Sequence, residues 1–300
     1  MRQLLKPEWI WRPSQVLRRL SFRPSNEVMP LSLPWHCTIS ARSAEIIGRC
    51  IATHGLYDLP LTEAIMRLTD AGDTALDLGA NIGYMTLVLA RSAGPEGRVL
   101  CFEPNPALLP ILRTNVNNWN SLQVAPIQIE TFAISDRNGG GVLGFPDDYV
   151  RNQGLASLEL KKDGVPVHVR RLDSMEINRA GIMKLDVEGH EAAVLMGAEK
   201  LLARKQIRDI LFEEHGSYPA RSHQILLEHR YHIFRVTGSI WRPLLLPPEA
   251  LPRRTFLPPT YPPTYLATAD PSRAHTRFAS WGWGALSAKL HRSDGVIGNG

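Results

Sequence analysis

Short apolar runs alternate with amphipathic stretches along the middle of the chain. The apolar runs predict strands at about 74–78, 98–103, 124–134, 182–187, 207–213 and 231–236. Stretches with an apolar residue at every third or fourth position predict helices at about 82–92, 106–118, 190–203 and 221–229. Strands that alternate with helices indicate an α/β fold with a mostly parallel sheet and right-handed crossovers.

Other patterns surround and interrupt this alternation. Residues 137–172 combine glycine turns with alternating apolar positions, which predicts hairpin strands that cover a binding site. Closely spaced prolines in 243–263 predict an extended loop, and residues 265–268 a last edge strand. We therefore expect an N-terminal helical and extended segment at 1–69, an α/β domain at 70–270 and a C-terminal tail at 271–300.

Composition places the chain among folded soluble proteins. Of its 300 residues, 44% are hydrophobic and 21% are charged, which suits one large domain with extensions. Cys37, Cys50 and Cys101 are too few and too scattered for a disulfide framework or a zinc site. No signal-peptide core is present, and no apolar stretch approaches the ~20 residues of a membrane span. We therefore expect a cytoplasmic protein with reduced thiols.

The formal net charge of +5 is concentrated in part near the N-terminus. The basic residues there are Arg2, Lys6, Arg12, Arg18, Arg19 and Arg23. A basic arm of this kind binds nucleic acid or an anionic membrane, or it forms the solvated face of short helices. We favour the solvated face.

The most informative motif follows the first strand of the central alternation. Asp77, Gly79, Asn81 and Gly83 form the pattern D-x-G-x-x-x-G in a glycine turn that leads into a helix. Such a turn presents backbone N–H groups at a helix N-terminus, where a nucleotide-like ligand binds. Dinucleotide enzymes carry G-x-G-x-x-G, but asparagine occupies the middle position here. Because a carboxylate opposes a pyrophosphate and suits a cation, the motif favours S-adenosylmethionine over a nicotinamide cofactor.

Glu103 ends the next strand of the alternation. An acidic residue about 20 residues beyond a glycine turn accepts hydrogen bonds from ribose hydroxyls. The alternative is a surface carboxylate at a strand end. Because Asp77 lies upstream, we favour binding of the cofactor ribose.

Acidic residues and a histidine cluster where the strand at 182–187 ends. Asp186, Glu188 and His190 lie close together, and Glu213 ends the following strand. Catalytic groups in open parallel sheets gather at this edge. His190 is the first candidate for a general base, because a pKa of about 6.5 suits proton abstraction at neutral pH. The three acids are alternative bases, or they bind substrate hydroxyls or a divalent metal; we assign no metal ligand.

Structural explanations compete with these catalytic roles. The helix dipole alone favours Glu188 and Glu191 at a helix N-terminus, and His190 in the first turn is able to act as a cap. We expect His215 and His223 to be structural or exposed to solvent.

Three segments together resemble one family. LeuAspLeuGlyAlaAsnIleGly, PheGluProAsnPro and LysLeuAspValGluGlyHisGlu occur in the order found in the FkbM family of S-adenosylmethionine-dependent methyltransferases. The resemblance covers roughly residues 55–215. It implies a Rossmann-like class I methyltransferase fold, with a seven-stranded, mostly parallel sheet flanked by helices and one reversed strand near an edge.

The resemblance also implies residue roles. Asp77, Gly79, Asn81 and Gly83 would line the methionine end of the cofactor, Glu103 would hold the ribose, and Ala133 would lie near the adenine at the end of the third strand. The reaction implied is O-methylation of hydroxyls on sugars or natural products. The domain predicted at 70–270 would then be the methyltransferase domain.

We therefore predict an S-adenosylmethionine-dependent O-methyltransferase whose catalytic candidates are His190, Asp186 and Glu188. Its expected partner is a small-molecule or glycan acceptor: a saccharide, a glycolipid or a secondary metabolite. An RNA or protein methyltransferase is the first alternative. The basic N-terminus supports it, but no Asn-Pro-Pro-Tyr segment follows the strand at 182–187, so nucleic acid is disfavoured as a partner.

Two other classes of protein share the predicted fold. An NAD-dependent oxidoreductase is disfavoured by Asp77 and by the missing middle glycine. A non-catalytic binding module is disfavoured because Asp77, Glu103 and Asp186 are all intact.

Overall fold

The computed structural model describes residues 7–8, 19–145, 156–158, 164–251 and 262–287. Its strands are β1 (Val28–Ser32), β2 (Thr38–Arg42), β3 (Thr74–Leu78), β4 (Arg98–Phe102), β5 (Ile127–Glu130), β6 (Ala133–Ile134), β7 (Gly139–Gly144), β8 (Gly164–Arg170), β9 (Ala180–Leu185), β10 (Ile207–Glu213), β11 (His232–Gly238), β12 (Pro243–Leu246) and β13 (Thr264–Thr268). Its α-helices are α1 (Ile46–His54), α2 (Leu59–Leu68), α3 (Tyr84–Ala93), α4 (Leu109–Trp119), α5 (Glu191–Gly197), α6 (Glu199–Ala203), α7 (Arg221–Glu228) and α8 (Pro271–Ala279). The helix predicted at 190–203 is therefore two short helices.

The main sheet has the strand order β12-β11-β13-β10-β9-β3-β4-β5. From β10 to β5 all neighbouring strands are parallel. β13 runs antiparallel to β10 and β11, and β12 runs antiparallel to β11. The predicted mostly parallel sheet is confirmed, and two strands near one edge, β12 and β13, are reversed where one was expected. The sheet has eight strands where seven were expected, because Pro243–Leu246, predicted as part of a loop, adds β12 at the edge.

Helices cover both faces of this sheet, and the strand side chains on both faces are buried beneath them. Ala75 of β3 packs in a core with α1, α2, α3, α4 and α8, whereas Leu76 packs in a second core with α5, α6 and α7. Successive side chains of a strand point to opposite faces, so a continuous apolar run supplies both cores. The alternation places Asp77 on the side of α2 and α3.

The strand predicted at 265–268 is not an edge strand. β13 lies between β10 and β11, and all five of its residues are buried. A strand in the interior of a sheet that is covered on both faces has a continuous run of buried residues. An edge strand with one solvated face would not need such a run.

The insertion forms a small sheet beside the main one. β7 and β8 pair as an antiparallel hairpin, as predicted, and β6 pairs with β8 in parallel. The strand predicted at 124–134 is therefore divided, because β5 stays in the main sheet while β6 joins the small one. Residues 146–155 and 159–163 lie outside the described residues.

The flanking segments contact the central fold. β1 and β2 form an antiparallel hairpin, and the indole N–H of Trp119 donates to the Thr38 carbonyl at 2.9 Å. Near the other end, the Arg67 guanidinium donates to the carbonyl oxygens of Arg277, Ser280 and Gly282 at 2.9–3.0 Å. The division into segments at 1–69, 70–270 and 271–300 stays a prediction.

Most of the basic N-terminal arm, together with residues 252–261 and 288–300, lies outside the described residues. Within the described residues, no helix combines the length and the apolar character needed to cross a membrane.

Candidate active site

An open cleft of about 1080 Å³ lies at the carboxyl ends of β3, β4, β9 and β10. Residues before α2, the glycine turn after β3 and the small sheet complete its walls. Its position is the one where open parallel sheets bind ligands.

The glycine turn packs directly against the end of β9. Gly79 and Gly83 have φ angles of 79° and 92°. A Cβ atom at Gly79 would lie 1.9 Å from the carbonyl oxygen of Asp186, so no other residue fits without a shift of the backbone. Asn81 adopts a left-handed φ of 53°, and its Oδ1 accepts from the backbone N–H of Ile82 at 2.8 Å. Gly79 and Asn81 line the cleft.

Asp77 lies beneath the turn rather than in the cleft. Its carboxylate has no exposed surface. It accepts a hydrogen bond from the Thr86 hydroxyl at 2.5 Å, and its Oδ1 lies 3.4 Å from the Lys184 ammonium. The described partners of Asp77 are therefore protein groups, and its predicted contact with the methionine end of a cofactor stays a prediction.

Glu103 lies at the edge of the cleft, held by the backbone. Its two carboxylate oxygens accept from the N–H groups of Asn81 at 2.7 Å and Asn105 at 2.9 Å. Burial raises the pKa of Glu103 to about 7, although the two N–H groups favour its charged form. The structure therefore brings Glu103 onto the glycine turn, and its predicted contact with the cofactor ribose stays a prediction.

An apolar wall follows Glu103 along the cleft. Phe102, Ala133 and Ile134 line it, and the Phe102 ring packs edge-on against Phe132 with centroids 5.8 Å apart. Ala133 is the first residue of β6 in the small sheet, not the end of the third strand of the main sheet as predicted. It still lines the same cleft as Glu103.

The opposite end of the cleft is acidic. Asp186, Glu188 and Glu213 line it. Burial, and then the charges of Asp186 and Glu191, raise the pKa of Glu188 to about 8. Burial, and then Asp186 and Asp58, raise the pKa of Glu213 well above its ordinary value. Burial and neighbouring negative charges therefore favour the protonated forms of Glu188 and Glu213.

His190 also lines the cleft, but its ring has a protein partner. It precedes α5 and is buried. Its Nε2 lies 2.9 Å from the Ser135 hydroxyl, which follows β6. The histidine therefore connects the main sheet to the small sheet.

His215 lies closer to the site than expected. Its Nε2 is 3.8 Å from the Glu188 carboxylate, although 53% of its side chain is exposed. His223 is fully buried among the rings of Phe212, Tyr218 and Tyr265, so a structural role is consistent with its position.

Sequence reasoning missed Asp58 and Lys184. Asp58 caps α2 by accepting from the Leu61 N–H at 3.0 Å, and burial raises its pKa to about 6, with Asp186 adding to the shift. The signal was an aspartate just before Leu59–Pro60, since proline favours the first turn of a helix. Lys184 is a single lysine within the apolar strand β9, which is itself an unusual pattern.

The small sheet contributes the remaining wall. Leu143, Ala156 and Leu158 line the cleft. The Ser157 hydroxyl between them donates to the carbonyl oxygen of Glu188 at 2.7 Å, and Glu188 has a left-handed φ of 53°. The prediction that the insertion covers the binding site is therefore supported by its described residues.

The described residues contain no group of three or more histidine, cysteine, aspartate or glutamate side chains arranged to hold a metal ion.

The strand order and the glycine turn at the cleft define the class of protein: a Rossmann-like methyltransferase fold. The particular family follows from the sequence. The model of the methyltransferase FkbM domain matches residues 77–233, just over half of the chain, and the chain belongs to this family. The suspected family is therefore confirmed.

Several solved structures are similar in fold. A methyltransferase FkbM from Methylobacillus flagellatus KT is 16% identical, with a TM-score of 0.43; the match covers 66% of this chain but only 44% of that one. An S-adenosylmethionine-dependent O-methyltransferase from Thermotoga maritima is 15% identical, with a TM-score of 0.41, over 70% of this chain and 63% of that one.

A tRNA (uracil-54, C5)-methyltransferase from Pyrococcus abyssi, solved with S-adenosyl-L-homocysteine, is 12% identical with a TM-score of 0.43, over 81% of this chain and 44% of that one. No curated protein sequence matches this chain.

Proposed function

We propose that the protein is an S-adenosylmethionine-dependent O-methyltransferase that acts on a hydroxyl of a saccharide, a glycolipid or a secondary metabolite. The observation that carries the proposal is the division of the cleft. One end has the glycine turn and Glu103, and the other has carboxyl groups that suit a cation and a hydroxylated acceptor.

The donor end has the features that the cofactor requires. The Glu103 carboxylate is fixed by two backbone N–H groups and faces the cleft, where it is able to accept from ribose hydroxyls. Phe102, Ala133 and Ile134 offer an apolar surface for the adenine. The cofactor supplies a methyl group activated by a sulfonium cation. The carboxyls of Asp186 and Glu213 lie at the end of the cleft that favours this charge.

The acidic end argues for an acceptor without phosphate. Asp186, Glu188 and Glu213 line it, and every negative charge that they carry opposes an anionic acceptor. An uncharged hydroxyl meets no such repulsion. The same charges disfavour RNA, the rival acceptor, because nucleic acids bind through contacts between cations and phosphates.

Two residues are candidates for the base that accepts the hydroxyl proton. We rank Glu188 ahead of His190. Its pKa of about 8 lies close to neutral pH, where a general base is most effective. Its left-handed backbone is a strained conformation that proteins retain at functional sites. The Nε2 of His190, in contrast, already contacts the Ser135 hydroxyl.

Thermal unfolding tests the cofactor assignment. S-adenosylhomocysteine should raise the melting temperature, and NAD should not. Glu103→Gln should weaken cofactor binding by about tenfold, the equivalent of one lost charge-assisted hydrogen bond. Glu130→Gln, at the end of the neighbouring strand β5, is the control and should bind normally. Stabilisation by NAD alone would contradict the proposal.

Transfer of a labelled methyl group tests the acceptor. A panel of neutral saccharides, glycolipids and polyhydroxylated metabolites should contain the active acceptors. Their phosphorylated counterparts should react more slowly. Labelling of RNA, with binding that falls steeply as salt rises, would favour the RNA methyltransferase instead.

A further inference from the structure

Lys184 is a buried cation in the wall of the cleft. Among the described residues that line the cleft, it is the only lysine or arginine. It lies on β9 opposite Asp77 of β3, in a part of the sheet that is otherwise apolar. A charged group in such a position is costly to bury, and it persists only where it is well paired.

The ammonium of Lys184 joins the donor turn to the acidic end. It donates to the carbonyl oxygens of Gly79 at 2.6 Å and Leu78 at 3.3 Å. It also lies 3.4 Å from Asp77 Oδ1 and 3.3 Å from Asp186 Oδ2. Asp77 and Leu78 end β3, Gly79 begins the glycine turn, and Asp186 belongs to the loop that carries the catalytic candidates.

The same two loops touch through their backbones. Because Gly79 packs against the Asp186 carbonyl, a small displacement of either loop changes the shape of the cleft. This backbone contact sets the distance between the two loops. The Lys184 ammonium adds a charged interaction with each loop, one with the Gly79 carbonyl and one with the Asp186 carboxylate.

We propose that Lys184 is a positioning residue: its ammonium fixes the Gly79 turn relative to Asp186, and so holds the cofactor end and the acceptor end of the cleft in one arrangement. This inference rests on the proposed function. Lys184 need not touch the acceptor for this role. The role requires both the charge and the length of its side chain.

The electrostatics support a lysine that stays charged. Burial lowers the pKa of Lys184, but Asp186, Asp77 and Glu213 outweigh it, so the net shift is upward. In return, the charge of Lys184 lowers the pKa of Glu103, Glu188 and Glu213. Loss of the cation should therefore raise the pH at which these carboxyls become charged.

Calorimetric titration with S-adenosylmethionine and S-adenosylhomocysteine, from about pH 6 to pH 9, tests the role of Lys184. Lys184→Met should weaken both ligands by about tenfold, the equivalent of one lost charge-assisted hydrogen bond. It should also move the midpoint of the pH dependence of S-adenosylmethionine binding upward. Lys184→Arg, which keeps the charge, should keep the midpoint.

Lys205→Met is the matched control. The Lys205 ammonium also donates to a backbone carbonyl, that of His229, and lies over the Tyr231 ring, but it does not line the cleft. This variant should bind both ligands normally. If Lys184→Met does not fold, the pair Asp77→Asn with Lys184→Met removes both partners of the buried ion pair. The same shift of the midpoint is then expected.

The outcomes separate the two proposals. Wild-type affinity and an unchanged midpoint in Lys184→Met, or equal losses in Lys184→Met and Lys184→Arg with no shift, would overturn the role of Lys184. Failure of the wild-type protein to bind either ligand would instead overturn the proposed function.

Discussion

The two ends of the cleft are built in different ways. The donor end is a backbone structure: the N–H groups of Gly79 and Ala80 both donate to the Phe102 carbonyl, and the N–H of Asn81 donates to Glu103. The acceptor end is a side-chain structure: Asp186 and Glu213 come from different strands and repel each other, and the buried Asp58 adds its charge. The shape of the donor end therefore depends on the fold of the backbone, whereas the acceptor end depends on individual side chains.

The largest effect on stability should come from a single methyl group at the donor end. Gly79→Ala places Cβ 1.9 Å from the Asp186 carbonyl and should destabilise the protein by about 2–4 kcal/mol more than Gly72→Ala. Gly72 also has positive φ, but it has nothing within 4 Å, so it controls for backbone strain alone. Chemical denaturation measures both. Equal losses of stability in the two variants would show that the donor end tolerates a side chain. The proposed difference between the two ends of the cleft would then be wrong.

Substitutions at the acceptor end should lower the rate of catalysis rather than the stability of the fold. Glu188→Gln should reduce the rate of methyl transfer by about 10²–10⁴-fold, the usual contribution of a general base, while S-adenosylhomocysteine affinity changes little. Glu228→Gln, an exposed residue of α7 paired with Arg221, is the control. A larger loss in His190→Gln than in Glu188→Gln would reverse the ranking of the two bases.

The pH dependence of the free energy of unfolding should report on the buried carboxyls at both ends of the cleft. The pKa of Glu103 is about 7 and that of Glu188 about 8 in the folded protein, against about 4.3 in an unfolded chain. Because the folded state binds more protons, the contribution of these groups to stability is present at low pH and lost as pH rises through the folded pKa. The free energy of unfolding should fall between about pH 5 and pH 8.

Variants assign this pH dependence to each end. Glu103→Gln should remove the part of the decline that ends near pH 7, and Glu188→Gln the part that continues to about pH 8. Saturating S-adenosylmethionine should flatten the profile, because its cation favours the charged carboxylates. A stability that rises across the whole window would contradict the burial of these carboxyls.

The smallest effect is expected where the small sheet meets the acceptor end. Ser157→Ala removes the hydrogen bond to the Glu188 carbonyl and should lower the rate of methyl transfer about fivefold, the equivalent of one ordinary hydrogen bond. Ser157→Thr should restore part of it. Ser92→Ala, which removes a hydrogen bond within α3, should have no effect on the rate. An unchanged rate in Ser157→Ala would show that this contact of the small sheet with the acceptor end does not contribute to catalysis.

This contrast also explains what the sequence predicted well. The donor end is local: Gly79, Asn81 and Glu103 lie within one strand–helix–strand unit, so spacing alone places them together. The candidates Asp186, Glu188 and His190 were found because they are adjacent in the sequence and end a strand. Their roles in binding and catalysis stay predictions.

The acceptor end was harder to predict because its contacts are long-range. Asp58 influences Asp186 and Glu213 only because α2 packs against the sheet, and no local pattern reports that packing. Ala133 was assigned to the wrong sheet because β5 and β6 read as one apolar run. The edge strand β12 was hidden by prolines, which an edge strand tolerates because its outer N–H groups need no partner.

β13 has a consequence for synthesis on the ribosome. β10 and β11 do not pair with each other, and each pairs instead with β13, which is translated after both of them. Until Thr268 has emerged, the nascent chain presents two open strand edges, one on β10 and one on the β11–β12 hairpin. Open edges recruit other strands. A chain stalled before Thr264 should therefore depend on chaperones far more than the finished protein does.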